Sequence, residues 1–412
     1  IFAHLIRDKF ANFLWDVAGG WQVSTSERIL SDCIEIRRQF LRSVNLEKDY
    51  QSNNQNGDYI VTATARQVLH RVVQGLTERS PYRAWTITGP YGVGKSAFAV
   101  FLTKLLCHKV SGSDKSRLHL QEADQLLASN ISLKTGDGNG LLPIVMIARR
   151  APVALCLCEA IKSSASSYLK PNQRKTILAK CESLLQDIGK NIATDSRQIV
   201  SLITEMAMVA RNSEYSGLLL MIDEFGKLFE FAARVPQKAD VFVLQEIAEQ
   251  ASRSGEFPTL FFGFLHQSFE EYGQYLDSIT RKEWAKIHGR FEDVAFLEPA
   301  EQVIRMVSAA IKWKESALSQ NLSDKIRRVA NICAEHGVCP PGMKNDEFEN
   351  ICLRTYPLHP TALVALPFIF RRFAQNERSL FSYLSSMEPH GFQEYLRTHN
   401  LSSKQKIGRA HV

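Results

Sequence analysis

The sequence predicts an α/β fold: a parallel sheet sandwiched between helices, followed by a C-terminal helical lid. Three observations carry that expectation. A glycine-rich loop, Gly89-Pro-Tyr-Gly-Val-Gly-Lys-Ser96, lies between a short β-rich run and a helix with a broad apolar face. A run of apolar residues, Leu218–Ile222, ends in two adjacent carboxylates, Asp223 and Glu224. A third apolar run, Thr259–Leu265, follows it. Strands buried on both faces read as continuous apolar runs of this kind.

The elements follow in order. Residues 1–56 form an N-terminal segment: a helix-like stretch, Phe2–Val17, and then a polar linker, Gln51–Gly57. The core is expected over residues 57–298. Thr62 or Thr64 can cap a helix running through Thr77, and Ala84–Thr88 is the first buried strand. After the glycine loop, Phe98, Phe101, Leu102, Leu105 and Leu106 fall on one helical face. Residues 110–140 carry Ser111-Gly-Ser113 and the stretch Thr135–Gly140, and read as an insertion. Leu141–Ala148 is the second strand. Residues 152–211 are helical with breaks near Lys170-Pro171 and Thr194-Asp195. Gly217–Asp223, Phe257–Leu265 and Asp293–Leu297 complete the strands. Helices over Ala300–Lys312, Ser323–Cys333 and Pro360–Phe373, the last kinked at Pro367, make up a lid over residues 299–401. Residues 402–412 are a tail. Its last six residues have the form of a translated sequencing adapter, so 407–412 are expected to be non-native and the coding sequence to continue.

Composition narrows the class. With 412 residues, 45% hydrophobic and 23% charged, the chain can bury a large core without disulfides or metals. At about one domain per 150 residues it holds two or three. No apolar stretch reaches the roughly 18 residues of a membrane span, so no membrane partner is expected. The net charge of +7 permits a polyanionic partner without arguing for one. Eight cysteines without a regular framework read as buried thiols in a reducing cytoplasm. Cys333, His336, Cys339 and Cys352 have spacings that match no zinc pattern.

The chemistry is read from the loop and the carboxylates. Residues 89–96 match G-x-x-x-x-G-K-[ST] at every fixed position. Gly89, Pro90, Tyr91, Gly92, Val93 and Gly94 wrap the backbone around phosphates, Lys95 supplies a mobile cation for them, and Ser96 offers a hydroxyl to Mg²⁺. A loop of this type needs an acid on a second buried strand. Asp223 is expected in the Mg²⁺ shell, and Glu224 as the general base that polarises an attacking water. ATP and Mg²⁺ are therefore the expected ligands. Beyond Leu265, Gln267 or His266 can hydrogen-bond that water. Gln267 is preferred because an amide donates and accepts at once.

With these motifs in place, the stretch Gly289-Arg-Phe-Glu292 resembles the Gly-Arg-Phe-Asp signature of AAA-type ATPases. The resemblance implies that Arg290 is an arginine finger reaching a neighbouring subunit's nucleotide. Over roughly 60–300 the chain is similar to AAA+/STAND-type P-loop ATPases of the additional-strand class. More narrowly, the blocks starting at Arg83, Leu265, Tyr356 and Gln375 resemble ATPases of bacterial phage-defence islands, of the BREX-type P-loop protein family. That narrower resemblance implies a large multidomain ATPase, of which this is the nucleotide-binding portion. An ATP-hydrolysing machine of the AAA type is expected to be a homo-oligomer that remodels a partner such as DNA or a DNA-bound protein, with a lid arginine as a second sensor. Arg371, Arg372 and Arg378 are the candidates, with Arg378 ranked first. Two function classes follow: an ATP-hydrolysing remodelling machine, or a nucleotide-gated scaffold with slow turnover.

Overall fold

The computed structural model describes residues 29–37, 44–52, 59–78, 80–190, 192, 195–235, 240–273, 278–314, 318–373, 380–387, 389 and 391–401. The expected Phe2–Val17 helix, most of the polar linker and the 402–412 tail lie outside them. The chain divides into two compact units, Val44–Leu297 and the two segments Ile1–Ser43 and Glu298–Val412.

The first unit is built on five parallel strands: β1 (Ala84–Thr88), β2 (Leu141–Ile147), β3 (Gly217–Asp223), β4 (Thr259–Leu265) and β5 (Glu292–Ala295). Their order across the sheet is β2-β3-β4-β1-β5. The strand that enters the glycine loop is thus separated from the strand ending in Asp223 by one inserted neighbour, β4. Side chains alternate across the sheet with a period of two. On β3, Leu218, Leu220 and Ile222 join one apolar core, while Leu219 and Met221 join the other. Both faces are covered, which explains why the strand is apolar throughout.

One face is covered by helices α1 (Ala63–Gly75), α2 (Lys95–Leu106), α3 (Ser113–Ala123) and α4 (Gln125–Thr135). Thr62 caps α1, accepting from the Ala65 amide at 3.1 Å. The insertion after α2 is thus a helical pair, and Asp124 separates the two by accepting from Leu127 N–H at 3.0 Å. The other face is covered by α5 (Val153–Tyr168), α6 (Pro171–Gly189), α7 (Ser196–Arg211), α8 (Gly226–Arg234), α9 (Phe242–Ser252) and α10 (Ser278–His288). Pro171 opens α6 at a position where its missing N–H costs nothing, and Asp195 caps α7.

In the second unit the expected helix Ala300–Lys312 stops at Ala310, and Ile311–Trp313 is a strand. It pairs antiparallel with Ile34–Ile36, in the register Ile34↔Trp313 and Ile36↔Ile311. The cause is alternation. Ile34, Ile36 and Ile311 face the core, while Lys312 and Glu35 pair on the other side at 3.1 Å. Residues 29–37 therefore fold with the helices Ala300–Ala310, Gln320–Glu335, Asn345–Thr355, Pro360–Phe373, Leu380–Ser385 and Phe392–Thr398 around one core. Pro367 lies inside Pro360–Phe373. All eight cysteines are free thiols and all but Cys339 are buried.

Candidate functional site

The site forms where β1, β3 and β4 end. Backbone bonds stitch those ends together: Gly89 N–H donates to Leu265 O at 3.1 Å, and Phe225 N–H to Phe264 O at 2.9 Å. Phe296 N–H donates to Thr88 O at 2.7 Å. The carboxyl ends of parallel strands are where open α/β sheets place ligands.

The loop Gly89–Gly94 carries the chain from β1 into α2. Gly92 and Gly94 have φ of 77° and 91°, the left-handed region that a side chain resists. Gly89 is required for a different reason: a Cβ there would lie 2.5 Å from Phe296 O. Lys95 begins α2 and is almost fully buried. Its ammonium donates to Gly89 O and, at 2.8 Å, to Pro90 O, and lies 3.3 Å from His266 Nδ1. Burial lowers Lys95 to about 8, against the opposing pull of Asp223 and Glu224. The first-turn N–H groups of α2 have no intrahelical acceptors, so this end of the helix carries positive potential.

Asp223 ends β3 with 4% of its surface exposed. Burial raises its pKa, opposed by hydrogen bonds from Ser96 and from the Glu224 amide, the latter at 2.9 Å. A buried carboxylate beside a hydroxyl is a hard-oxygen pair. It suits a small divalent ion that takes its remaining ligands from phosphate and water. Ser96 and Asp223 are the residues that would hold Mg²⁺.

Glu224 has a φ of 55°. For a residue with a side chain this costs about 1–2 kcal/mol, and such strain is retained where surroundings enforce it. Two glycines let the surroundings do so. Phe225 packs into the notch left by Gly263 on β4, where a Cβ would be 2.4 Å from the ring. Tyr272 fills the space beside Gly226, where a Cβ would meet its hydroxyl at 2.2 Å, and that hydroxyl is hydrogen-bonded to the His266 backbone. Glu224 Oε2 lies 3.3 Å from Lys227 Nζ, and Oε1 lies 2.9 Å from His266 Nε2. Nε2 has no hydrogen-bond partner even at that distance, so the contact is one of close packing and not a hydrogen bond. Burial raises the Glu224 pKa, but His266 and then Lys227 outweigh it, and the net direction is down.

Of the two candidates after β4, the structure brings His266 against Lys95 and Glu224. Its ring also stacks on Tyr91, with centroids 3.5 Å apart and planes 16° apart. Gln267 follows on the same turn, partly buried. The hydrogen-bonding versatility that favours an amide from sequence says nothing about where the side chain lies. Only the position of the turn decides which side chain reaches inward.

The Gly289–Glu292 stretch separates into anchors and a free end. Glu292 pairs with Arg71 and accepts from Trp85 Nε1 at 2.9 Å, which pins β5 to β1. Phe291 is buried against Phe225 and Phe261. Asp293 accepts from the hydroxyls of Thr86 and Thr88, each at 2.7 Å. Arg290 is half exposed, and its Nε lies 2.9 Å from Glu249 Oε1 on α9, not against Glu292 or Asp293. Arg371 donates to Glu298 O, and Arg378 lies outside the described residues.

No protein-family model matches this chain, and no curated protein matches it. What the site can do is therefore read from the arrangement just described.

Proposed function

We propose that this chain binds Mg-ATP in the Gly89–Ser96 loop and hydrolyses it, as an AAA+-like P-loop ATPase of the additional-strand class. One observation carries the reading. Lys95, Ser96, Asp223, Glu224 and His266 come from three separate strand ends and converge with ion-pair or hydrogen-bond contacts among them. The strand order, with β4 inserted between β1 and β3, agrees with the additional-strand class.

In this reading the loop amides and Lys95 bind the β- and γ-phosphates, and Ser96 and Asp223 hold the metal. Bound Mg²⁺ supplies charge neutralisation on the transferring phosphoryl. Glu224 takes a proton from the attacking water, and its depressed pKa keeps it ionised and able to do so. The conversion of turnover into remodelling of a partner, in phage defence or elsewhere, is part of the same proposal. It is supported by sequence resemblance alone.

A slow-turnover scaffold is the second reading. It is favoured by the fact that both Glu224 oxygens already face cationic or imidazole partners. Steady-state phosphate release separates the two. Glu224→Gln keeps shape and hydrogen bonding but loses the base, and is expected to bind Mg-ATP while hydrolysing it about 10²–10⁴ times more slowly. Equal rates in wild type and variant would remove Glu224 from the chemistry and favour the scaffold.

A further inference from the structure

His266 spans two groups that have different tasks. An ammonium has only protons to offer, so the 3.3 Å contact between Lys95 Nζ and His266 Nδ1 requires Nδ1 to accept. The ring proton then sits on Nε2, the nitrogen that faces Glu224 Oε1 at 2.9 Å. One imidazole therefore accepts from the phosphate-binding cation at Nδ1 and sets its Nε2, without a completed hydrogen bond, against the carboxylate assigned to the water. Its place is fixed from two sides. Tyr91 of the loop covers the ring face at 3.5 Å, and the Tyr272 hydroxyl holds the His266 backbone in space that Gly226 leaves open. The side chain is 14% exposed, so water competes little for either contact. Meanwhile Gly89 O and Pro90 O take the other Lys95 donors, and Lys227 faces the second Glu224 oxygen.

We propose that His266 is a positioning latch: bonded to Lys95 through Nδ1 and packed with Nε2 against Glu224, it confines the carboxylate, and phosphate entering the loop opens it by drawing Lys95 off Nδ1. This rests on the reading that the loop takes Mg-ATP. A phosphate oxygen carries more negative charge than a carbonyl or an imidazole lone pair, so it wins the ammonium protons. Once Nδ1 loses its donor, the ring is free to turn, and Glu224 is released from Nε2 toward the water. Binding thus includes the cost of breaking a contact inside the protein, and occupancy of the phosphate site is what frees the base.

The test is titration calorimetry with Mg-ATP and Mg-ADP on wild type and His266→Ala. A latch that binding must break makes the variant bind both nucleotides more tightly, by about 2- to 10-fold, the worth of one hydrogen bond of this kind. Equal or weaker affinity in the variant overturns the latch. Failure of wild type to bind either nucleotide overturns the ATP reading instead. Should His266→Ala not fold, ¹⁵N-imidazole resonances of wild type decide the matter. His266 is expected to keep the Nε2–H tautomer throughout, with its Nδ1 resonance moving from that of a hydrogen-bonded acceptor to that of a free one on saturation with Mg-ATP. An unchanged Nδ1 resonance at saturation counts against the proposal. His266→Asn, too short to span both partners, identifies the resonance by difference.

Discussion

At the scale of single residues, absent side chains matter as much as present ones. Gly263 lies in the middle of an apolar strand, where glycine forfeits packing and strand propensity. Its place is explained by Phe225, fully buried against the space where a Cβ would stand. Phe225 directly follows the left-handed Glu224, so the notch fixes the turn that aims the carboxylate. Gly263→Ala is therefore expected to cost about 1–3 kcal/mol, the usual range for overpacking. It should also slow phosphate release, because Phe225 can yield only by moving its neighbour. Adding Phe225→Leu should recover part of the stability and less of the activity. Denaturant unfolding read beside turnover checks both, and an Ala variant as stable as wild type would show that the ring relocates freely.

At the scale of elements, His359 precedes the helix Pro360–Phe373 and acts as its cap. The Thr361 amide donates to His359 Nδ1 at 3.3 Å, and the Thr361 hydroxyl lies 2.7 Å away. An acceptor there must be unprotonated, and a positive charge at a helix N-terminus is unfavourable as well. Burial lowers the His359 pKa from 6.5 to about 4. A base depressed in the folded state binds fewer protons folded than unfolded, so its contribution is complete above about 6.5 and is lost as pH falls toward 4. Wild type is expected to lose more thermal stability between pH 7 and 4.5 than His359→Asn, which can cap without titrating. Parallel curves for the two proteins would remove His359 from the acid response. How legible such elements were depended on how local their signals are. The buried runs at 84–88, 217–223 and 259–265 announced their strands; of the two candidate caps Thr62 is the one used, and the breaks expected near Pro171 and Asp195 fall at helix starts. The Ile311–Trp313 strand read as helix, because its partner Ile34–Ile36 lies far away in sequence. The glycine loop and the Asp223-Glu224 pair were likewise readable from spacing. His266 over Gln267, and the Phe225–Gly263 and Tyr272–Gly226 fits, were not, since each depends on neighbours brought together only by the fold.

At the scale of the whole molecule, the open question is whether one chain contains a complete active site. Arg290 is mounted rigidly, with Phe291 in the core and Glu292 tied to Arg71 and Trp85, yet its own guanidinium rests on Glu249, half exposed. An exposed ion pair of this kind contributes little, about 0–1 kcal/mol, so Arg290 is cheaply released to another acceptor. In the homo-oligomer that the Gly289–Glu292 resemblance implies, that acceptor would be the transferring phosphoryl on a neighbouring copy. Specific activity should then rise with protein concentration as copies associate. Arg290→Ala should bind Mg-ATP nearly as wild type does and lose about 10³-fold or more in turnover, the usual worth of such an arginine. Lys95→Ala, lacking the loop cation, should fail to bind. Mixing the two inactive proteins is the decisive arrangement. Some interfaces then pair an intact Arg290 with an intact Lys95, so activity should reappear in proportion to mixed interfaces. Activity independent of concentration, or no recovery in mixtures shown by native mass spectrometry to co-assemble, would confine Arg290 to its ion pair with Glu249.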